Sequence, residues 1–367
     1  MNKESQRQLN QNIDQLISRL INPKGESPIN NCLIRINWPD EDFCYDKAIG
    51  VSGNNKDPVH PDLLFRTGSI SKIFTAVLIL QLAEEDYLDI NATFLQFLDE
   101  KQRNILKDLH VYEGKSCTLK IRVSDLLRHS SGLCDYYSED NKFVDFLGKN
   151  PDKSWTWVDV IEKFYTWDYP SRAKFLPGQA THYSDTNYLL LALLAEQRSG
   201  KKLRDLYRER IFNPLGLKNT FLEYYDPISP GSGHLFPYYG MKSMEQINTS
   251  FDWGAGGLLS KLDDLDHFIR SLFQGALFKK SSSLEAMKSG IEGDPEGGGS
   301  NKELFGAGLQ VKQIGKSKLF GHNSAYGGQL FYIPDKNISI IFTLNQARAF
   351  LKSEWLLRAI CKEVLAF

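Results

Sequence analysis

A nearly uninterrupted apolar stretch fills residues 73–83, directly after a polar segment that contains Ser69 and Lys72. Helices at a protein surface keep one polar face, whereas this stretch is apolar around nearly the whole helical wheel. We therefore predict a helix from about residue 69 that is buried in the centre of the molecule. Acidic residues at positions 84–86 mark its end.

Other helices are predicted at the N-terminus, through the middle of the chain and near its end. Residues 1–20 place apolar side chains at helical spacing, which is typical of an amphipathic helix. Further helical patterns lie at residues 124–129, 155–167, 186–198, 203–212, 262–273 and 350–366. Strand patterns are scarce between about residues 90 and 225, so that part is predicted to be mostly helical.

Strand-like runs occur near both ends of the chain. Residues 31–37 and 43–51 flank a polar segment and predict a hairpin. Short runs in the C-terminal part lie at residues 304–314, 318–322, 328–333 and 338–343. Strands at both ends with helices between them predict an α+β fold, in which one antiparallel sheet flanked by helices is interrupted by an inserted helical lobe.

The chain length of 367 residues exceeds the size at which a single core keeps growing, so two lobes are expected. We predict one domain over residues 1–367. One lobe, residues 1–68 plus 252–367, carries the sheet, and the other, residues 69–251, is helical. A cleft between two lobes is a common place for an active site.

Two loops are expected to border this cleft. Residues 226–250 contain several prolines and glycines, and residues 288–303 are rich in glycine. Such compositions predict irregular structure, and the part at residues 290–300 is predicted to be mobile. Neither loop carries a pattern that names a substrate.

The charge balance bears on the kind of partner. Lys and Arg number 44, and Asp and Glu number 45, which gives no electrostatic reason to expect a nucleic acid or a membrane surface. Hydrophobic residues make up 41% and charged residues 24% of the chain, as in ordinary globular proteins. A small molecule or short peptide fits better as substrate, and we expect a monomer.

The cysteines Cys32, Cys44, Cys117, Cys134 and Cys361 contain no C-x-x-C pair. An odd number without such a pair argues against a zinc ribbon and against a complete disulfide framework, so free thiols are expected. The seven histidines show no H-E-x-x-H or comparable spacing. No metal or other cofactor is therefore predicted.

The first 20 residues lack the apolar core of a signal peptide. No apolar run approaches the roughly 18 residues that a membrane span needs, so no transmembrane segment is predicted. As the sequence stands we expect a cytoplasmic protein, or a periplasmic or secreted one if a signal has been removed.

Ser69 and Lys72 are the first candidates for chemistry. On a helix they lie one turn apart on the same face, so the ammonium can reach the hydroxyl or its base. The helix N-terminus would also favour a developing oxyanion. The same spacing occurs at residues 171–174 and 199–202, but only Ser69 precedes a strongly apolar helix. From this stretch alone, a catalytic pair and a helix-capping serine with a solvated lysine both remain open.

Two later segments offer partners for Ser69, because Tyr183 lies in HYSDTNY and His322 lies in FGHNSA. With them the chain resembles the serine β-lactamase-like, penicillin-recognising family, in the branch of class C β-lactamases, DD-peptidases and related esterases. FRTGSISKIFTA is similar to the S-x-x-K segment of that family, HYSDTNYLLLALLAE to its Y-x-N segment and GHNSAYGGQLFYIPD to its K-T-G or H-x-G segment. The resemblance extends from about residue 30 to 345. Four segments outside the catalytic motifs are similar to connecting segments of the family: IRVSDLLRHSSGL, FLPGQ, IFNPLGLKNT and AGGLLSKLDDLDHFI.

The resemblance implies an acyl-enzyme mechanism. Ser69 would be the nucleophile, and Lys72 would assist its deprotonation. Tyr183 would act as general base and then as proton donor to the leaving group. Backbone N–H groups of Ser69 and Ala325 would form the oxyanion hole, and His322 would line the opposite wall of the cleft, on the leaving-group side.

The chain departs from the family pattern at Asp185, where asparagine is usual. A carboxylate near Lys72 would favour the charged form of the lysine. We therefore expect Lys72 to act mainly as a cation that lowers the pKa of Tyr183.

The third motif departs twice. Ser324 stands where glycine is usual, so its hydroxymethyl group would narrow the cleft or supply a new hydrogen bond. His322 stands where lysine is common, and an imidazole at its reference pKa of about 6.5 would be only partly charged at neutral pH. It would anchor the carboxylate of a β-lactam less firmly than lysine does. By contrast, His129, His182 and His234 are expected to be structural or loop residues.

The sequence therefore favours a serine hydrolase that forms an acyl-enzyme at Ser69 on a small peptide, amide or ester, of the DD-carboxypeptidase, D-aminopeptidase or esterase type. Two alternatives remain open. One is a class C-like β-lactamase, and the other is a non-catalytic protein that binds penicillin or peptidoglycan fragments. No G-x-S-x-G elbow occurs in the chain, which argues against an α/β-hydrolase.

Overall fold

The computed structural model describes residues 1–22, 28–52, 57–228, 233–292 and 304–366. Residues 293–303 of the predicted glycine-rich loop and residues 229–232 of the preceding loop lie outside this range. The described helices are α1 Lys3–Leu20, α2 Ser71–Glu84, α3 Glu100–Leu106, α4 Val123–Leu127, α5 Lys142–Lys149, α6 Trp157–Thr166, α7 Asp185–Ser199, α8 Leu203–Tyr207, α9 Asn213–Leu215, α10 Trp253–Gly256, α11 Leu262–Phe273, α12 Ser281–Lys288 and α13 Phe350–Val364.

The strands fall into one large sheet and several small ones. Their bounds are β1 Asn31–Trp38, β2 Phe43–Gly50, β3 Leu64–Arg66, β4 Val111–Tyr112, β5 Lys115–Ser116, β6 Phe221–Leu222, β7 His234–Leu235, β8 Tyr238–Tyr239, β9 Lys242–Ser243, β10 Leu258–Ser260, β11 Ile291–Glu292, β12 Leu304–Phe305, β13 Gln310–Ile314, β14 Ser317–Asn323, β15 Gly328–Ile333 and β16 Ile338–Thr343.

The large sheet joins the two ends of the chain. It has eight antiparallel strands in the order β11-β12-β13-β14-β15-β16-β1-β2. β1 pairs with β16, with Leu33 opposite Thr343, and it forms the expected hairpin with β2, with Trp38 opposite Phe43. The predicted α+β fold, with one antiparallel sheet built from N- and C-terminal segments, is confirmed.

Alternating side chains give the sheet two buried faces. On β16, Ile338, Ile340 and Phe342 join a cluster that includes residues of α1 and α13. Ile341, between two of them, points into the other cluster, which contains the apolar residues of α2 and α7. Successive residues of a strand face opposite sides, so helices cover the sheet on both faces.

The helix α2 is buried along nearly its whole length, as the apolar stretch predicts. Ile73, Phe74 and Val77 are each 0% exposed. α2 packs against α7 and α10, and α7 is buried in the same manner. These two central helices position the candidate site, because α7 begins at Asp185, which faces it, and α2 begins two residues after Ser69.

A second, smaller sheet was not predicted. Its strands lie in the order β6-β10-β3-β7, and β3 pairs with β10 so that Arg66 lies opposite Leu259. Strands of two or three residues are too short to show an alternating pattern, so no periodicity marks them along the chain. This sheet fixes the chain immediately before Ser69.

A continuous apolar cluster runs from the central helices to one face of the large sheet. The single domain and its lobe boundaries remain a proposal. Among the described helices, none combines the length and the apolar character that crossing a bilayer requires.

Candidate active site

Ser69 lies in a 3-10 turn, Gly68–Ile70, that leads directly into α2. The regular helix therefore begins two residues later than predicted. Thr67 ties this turn to β10, since its backbone N–H and its hydroxyl both donate to Leu258 O at 2.9 Å. Ser69 is held by two fixed elements, one on each side.

The Lys72 side chain is 0% exposed and has three oxygen neighbours. Its Nζ donates to Ala255 O at 2.7 Å and to Ser69 Oγ at 3.3 Å. It also forms an ion pair with Asp185 Oδ1 at 2.5 Å. A buried ammonium needs such compensation because burial removes its hydration.

Tyr183 completes the group around Ser69. Its hydroxyl donates to Ser69 Oγ at 2.7 Å, and Lys72 Nζ lies 5.0 Å from the centre of its ring. Burial, followed by the charge of Asp185, raises the pKa of Tyr183 well above its usual value, against the opposing effect of the Ser69 hydrogen bond. The pKa of Tyr183 is thus raised overall, with burial as the largest cause. The expected lowering of this pKa by Lys72 stays a prediction.

Asp185 is the first residue of α7, where a carboxylate favourably meets the positive end of the helix dipole. Its backbone N–H donates to Asp135 Oδ1 at 2.9 Å. Asp135 also accepts backbone N–H bonds from Tyr137 and Ser138. Burial and the nearby charge of Asp185 raise the pKa of Asp135. Two carboxylates, those of Asp135 and Asp185, therefore lie close together at the cavity wall.

His322, on β14, is 1% exposed. Its Nδ1 is 2.7 Å from Asn323 O, and because a carbonyl only accepts, Nδ1 carries the proton. Nε2 has no hydrogen-bond partner among the described residues. Burial and the charge of Lys72 lower the pKa of His322 to about 3. The ring is thus neutral at neutral pH, which corrects the expectation of a partly charged imidazole.

The wall opposite Tyr183 is formed by the neighbours of His322 in sequence. Asn323, Ser324 and Ala325 line the cavity, whereas His322 packs behind them, with its ring centre 5.8 Å from that of Tyr183. The implied position of His322 on the cavity wall is therefore corrected. Ala325 is exposed at this wall.

Ser324 fills the space between the third motif and the Ser69 turn. A Cβ added at Gly68 would lie 2.5 Å from Ser324 Oγ, and Gly68 has a φ of +54°. The hydroxyl also accepts from the backbone N–H of Tyr326 at 3.3 Å. The predicted new hydrogen bond of Ser324 is thus made within its own turn.

A cavity of about 490 Å³ opens at Ser69. Its lining combines the three motifs with loop residues: Ser69, Asp135, Tyr137, Ser138, Asp140, Asn141, Val144, Tyr183, Asp185, Tyr239, Gln310, Asn323, Ser324, Ala325, Ala347, Arg348 and Phe350. Lys72 lies below this surface.

Sequence reasoning missed several lining residues, among them Asp135, Tyr137 and Arg348. Asp135 and Tyr137 lie two and four residues after the connecting segment IRVSDLLRHSSGL, which was the one available signal. Arg348 had no signal. Its guanidinium lies 4.9 Å above the ring of Tyr239 and donates to Asn141 Oδ1.

The other two Ser-x-x-Lys matches form no such site. Lys174 pairs with Glu139, and Lys202 pairs with Glu196. Within the described ranges, no group of three or more His, Cys, Asp or Glu side chains is arranged to hold a metal ion.

The chain is 26% identical to D-aminopeptidase from Brucella anthropi over 293 residues, which is 76% of this chain and 48% of that protein. It is also 26% identical to Unguisins hydrolase from Aspergillus campestris over 237 residues, 63% of this chain and 42% of that protein. The chain spans about half the length of the curated relatives it matches.

Solved structures share the fold. D-amino acid amidase from Ochrobactrum anthropi SV3 superposes with a TM-score of 0.79 at 20% identity, over 99% of both chains. A D-stereospecific amidohydrolase from Streptomyces sp. gives a TM-score of 0.75 at 21% identity, over 94% of this chain and 97% of the other. The family described as Beta-lactamase matches residues 36–360. Since that match covers most of the chain, the protein belongs to the Beta-lactamase family.

Proposed function

We propose that the protein is a serine hydrolase that cleaves the amide bond of a small peptide or amino-acid amide through an acyl-enzyme at Ser69. One observation carries the proposal: Ser69 Oγ accepts hydrogen bonds from both Tyr183 and Lys72 at the edge of the cavity. A nucleophile within reach of a base and a cation is the arrangement that acyl transfer needs. The names of the curated relatives support an amide as substrate.

The proton follows a short path in this proposal. The path starts from the tyrosinate form of Tyr183. As Ser69 Oγ bonds to the substrate carbonyl carbon, its proton passes to the Tyr183 oxygen, which lies 2.7 Å away. Tyr183 then gives this proton to the leaving amine as the C–N bond breaks. Water later attacks the acyl carbon while Tyr183 takes its proton, and this proton passes to Ser69 Oγ as the ester C–O bond breaks. The N–H groups of Ser69 and Ala325 would hold the oxyanion.

The pH dependence follows from the state of Tyr183. The hydroxyl donates to Ser69 in the structure, so its protonated form must lose the proton before it can act as base. Because the pKa of Tyr183 is raised well above its usual value, the base form is scarce at neutral pH. We expect kcat/KM to rise as the pH increases into the alkaline range.

The alternative of a β-lactamase has less support. A neutral His322, 1% exposed, offers no positive charge to a β-lactam carboxylate at neutral pH. We therefore expect slow or no turnover of penicillins. A protein that only binds such compounds would require an unreactive Ser69.

The test uses two reactive probes and a pair of serine variants. The protein is incubated with a fluorophosphonate and, separately, with a fluorescent penicillin, and adducts are located by mass spectrometry. We expect phosphonate on Ser69, none in Ser69→Ala, and normal labelling in Ser171→Ala, which alters another Ser-x-x-Lys match. Absence of phosphonate from Ser69 would exclude the proposed hydrolase.

Substrate class is measured with the D- and L-isomers of amino-acid p-nitroanilides and with matched esters. Release of nitroaniline that depends on Ser69 supports amide hydrolysis, and activity on esters alone favours an esterase. A stable penicillin adduct favours a DD-carboxypeptidase type, and rapid penicillin turnover favours the β-lactamase.

Assembly and compartment are proposals of the same kind. We infer a monomer, to be checked by light scattering on the purified protein; a solved relative from Pyrococcus abyssi is named as octameric. All five cysteines are free, and four are buried. Free thiols are typical of a reducing compartment, which supports the cytoplasmic placement expected from the sequence.

A further inference from the structure

His129 lies two residues after α4, in the segment RHSSGL, and is 2% exposed. Its φ is +57°, a left-handed conformation that residues other than glycine seldom adopt. The sequence alone suggested a structural histidine. A residue held in an unfavoured conformation must be fixed by its surroundings, which directs attention to its contacts.

The imidazole ring of His129 packs against the ring of Tyr183. Their centres are 4.5 Å apart and their planes are tilted by 30°. Tyr188 and Phe305 surround the same imidazole at 5.2 Å and 5.4 Å. The ring centre of His129 lies nearer to that of Tyr183 than the ring centres of His322 and Phe305 do.

His129 also holds the backbone on both sides of Tyr183. Its carbonyl oxygen accepts from the N–H of His182 at 2.8 Å. Its Nδ1 accepts from the N–H of Ser184 at 3.1 Å. His129 therefore fixes Tyr183 in three ways. Its ring packs on the Tyr183 ring, its Nδ1 holds residue 184, and its backbone carbonyl holds residue 182.

These contacts also determine the tautomer. A backbone N–H can only donate, so Nδ1 of His129 must be unprotonated and the ring proton must lie on Nε2. Asn187 Nδ2, 3.1 Å from the same Nδ1, fits as a second donor. Burial and the charge of Lys72 lower the pKa of His129 well below its usual value, so this neutral form persists at neutral pH.

We propose that His129 is the positioning residue of the base Tyr183. It keeps the Tyr183 hydroxyl at hydrogen-bond distance from Ser69 through ring packing and through its hold on residues 182 and 184. This inference rests on the proposed function, in which Tyr183 moves the proton. His129 does not line the cavity and acts only through Tyr183.

Two variants separate the two contacts of the side chain. His129→Asn keeps an acceptor and tolerates a positive φ, but it removes the ring. His129→Phe keeps a ring and removes the acceptor. The matched control is His110→Asn, which alters another buried histidine that bonds to Phe175 O rather than to Tyr183 or its neighbours.

Rates of p-nitroanilide hydrolysis and of Ser69 phosphonylation are measured, together with the thermal midpoint. We expect both His129 variants to lose kcat on the order of 10- to 100-fold, with KM nearly unchanged, because small misplacements of a catalytic group cost this much. His110→Asn should keep its kcat. Equal losses in the control would show a general effect of removing a buried histidine and would overturn the proposal.

A double variant tests whether His129 acts through Tyr183. In Tyr183→Phe the base is absent, so adding His129→Asn should cause no further loss of kcat. A multiplicative further loss would overturn the proposal. If wild-type Ser69 takes no phosphonate, the proposed function fails instead; if Tyr183→Phe is slow but the His129 variants react at the wild-type rate, only this inference fails.

Should the variants not fold, the tautomer is read from the wild-type protein. Imidazole ¹⁵N shifts should show an unprotonated Nδ1 and a protonated Nε2 at His129 from acidic to neutral pH. A protonated Nδ1 would contradict the hydrogen bond from Ser184 and overturn the proposal.

Discussion

The ammonium of Lys72 lies 2.5 Å from the carboxylate of Asp185, and both groups face the interior beside Ser69. The two opposite charges balance each other within the site. The same carboxylate raises the pKa of Tyr183. Burial is the larger cause of this raised pKa, and Asp185 adds to it. A chain with asparagine at this position would keep the lysine charge without the opposing carboxylate.

Asp185→Asn should move the rising limb of the pH–rate profile to lower pH. The substitution removes a negative charge that raises the pKa of Tyr183, and it leaves the Lys72 charge without its partner. Both changes favour the tyrosinate, and a shift of about one pH unit or more is expected for charges at this distance. The profile of kcat/KM between neutral and alkaline pH measures it.

Asp145→Asn serves as its control, because Asp145 is an exposed carboxylate on α5. Its profile should match the wild type. If Asp185→Asn also leaves the profile in place, Tyr183 is not the titrating base.

Ser324→Gly should favour substrates with a bulky acyl group. The hydroxymethyl group of Ser324 lies at the cavity wall, next to the turn that carries Ser69. Its removal opens space there, and a change of this size in a pocket alters specificity by about tenfold. The ratio of kcat/KM for a bulky ester to that for an acetyl ester gives the effect, and a ratio no higher than that of the wild type would contradict it.

Gly68→Ala should lower stability by more than its backbone strain alone. A left-handed φ costs a residue such as alanine about 1–2 kcal/mol, and the added Cβ would also lie 2.5 Å from Ser324 Oγ. Gly114→Ala is the control, since Gly114 has a φ of +73° and nothing within 4 Å of an added Cβ. Urea unfolding of both variants separates strain from clash.

The clash also predicts a rescue. Combining Gly68→Ala with Ser324→Gly removes the Oγ atom, so stability should recover toward the loss seen in Gly114→Ala. If the stability losses of the two single variants simply add up in the double variant, the two residues are not in contact.

Asp252→Asn should flatten the dependence of stability on pH. Burial, followed by the charge of Asp185, raises the pKa of Asp252 to about 8, from 3.8 for the free group. Because this pKa is higher in the folded protein than in the unfolded chain, protonation of Asp252 stabilises the fold. This contribution to stability is complete below about pH 4 and is lost as the pH rises from about 4 to 8. The slope from one such group is at most about 1.4 kcal/mol per pH unit.

Urea unfolding at pH 5 and pH 8 measures this difference. The variant should lose less free energy of unfolding between the two values than the wild type does. Some decline should remain, because the pKa of Asp135 is also raised. An identical decline in both proteins would show that Asp252 ionises without cost.

Long periodic segments were predictable from the sequence. The bounds of β15 and β16 agree with the predicted strands, and α2 is buried as its apolar circumference requires. The large sheet was predictable because strand patterns occur near both ends of the chain. The small sheet around β3 was not, because its pairing partners are two or three residues long and depend on tertiary contacts.

The site divides in the same way. Ser69 and Lys72 were found by spacing and context, and Tyr183 only by its motif. The neutral state of His322 and the raised pKa of Tyr183 were not predictable. The first depends on burial and on the nearby charge of Lys72, and the second on burial and on the nearby charge of Asp185. Asp135 lies in a loop, where no periodicity marks a carboxylate as buried.

The pairing of β1 with β16 has a consequence for biosynthesis. Leu33 meets Thr343 only after nearly all of the chain has left the ribosome, so the hairpin of β1 and β2 waits with one edge unpaired while the rest is made. Contacts so distant in sequence slow folding and expose strand edges to aggregation. Nascent chains that stop before residue 338 should therefore depend on chaperones, whatever the state of Ser69.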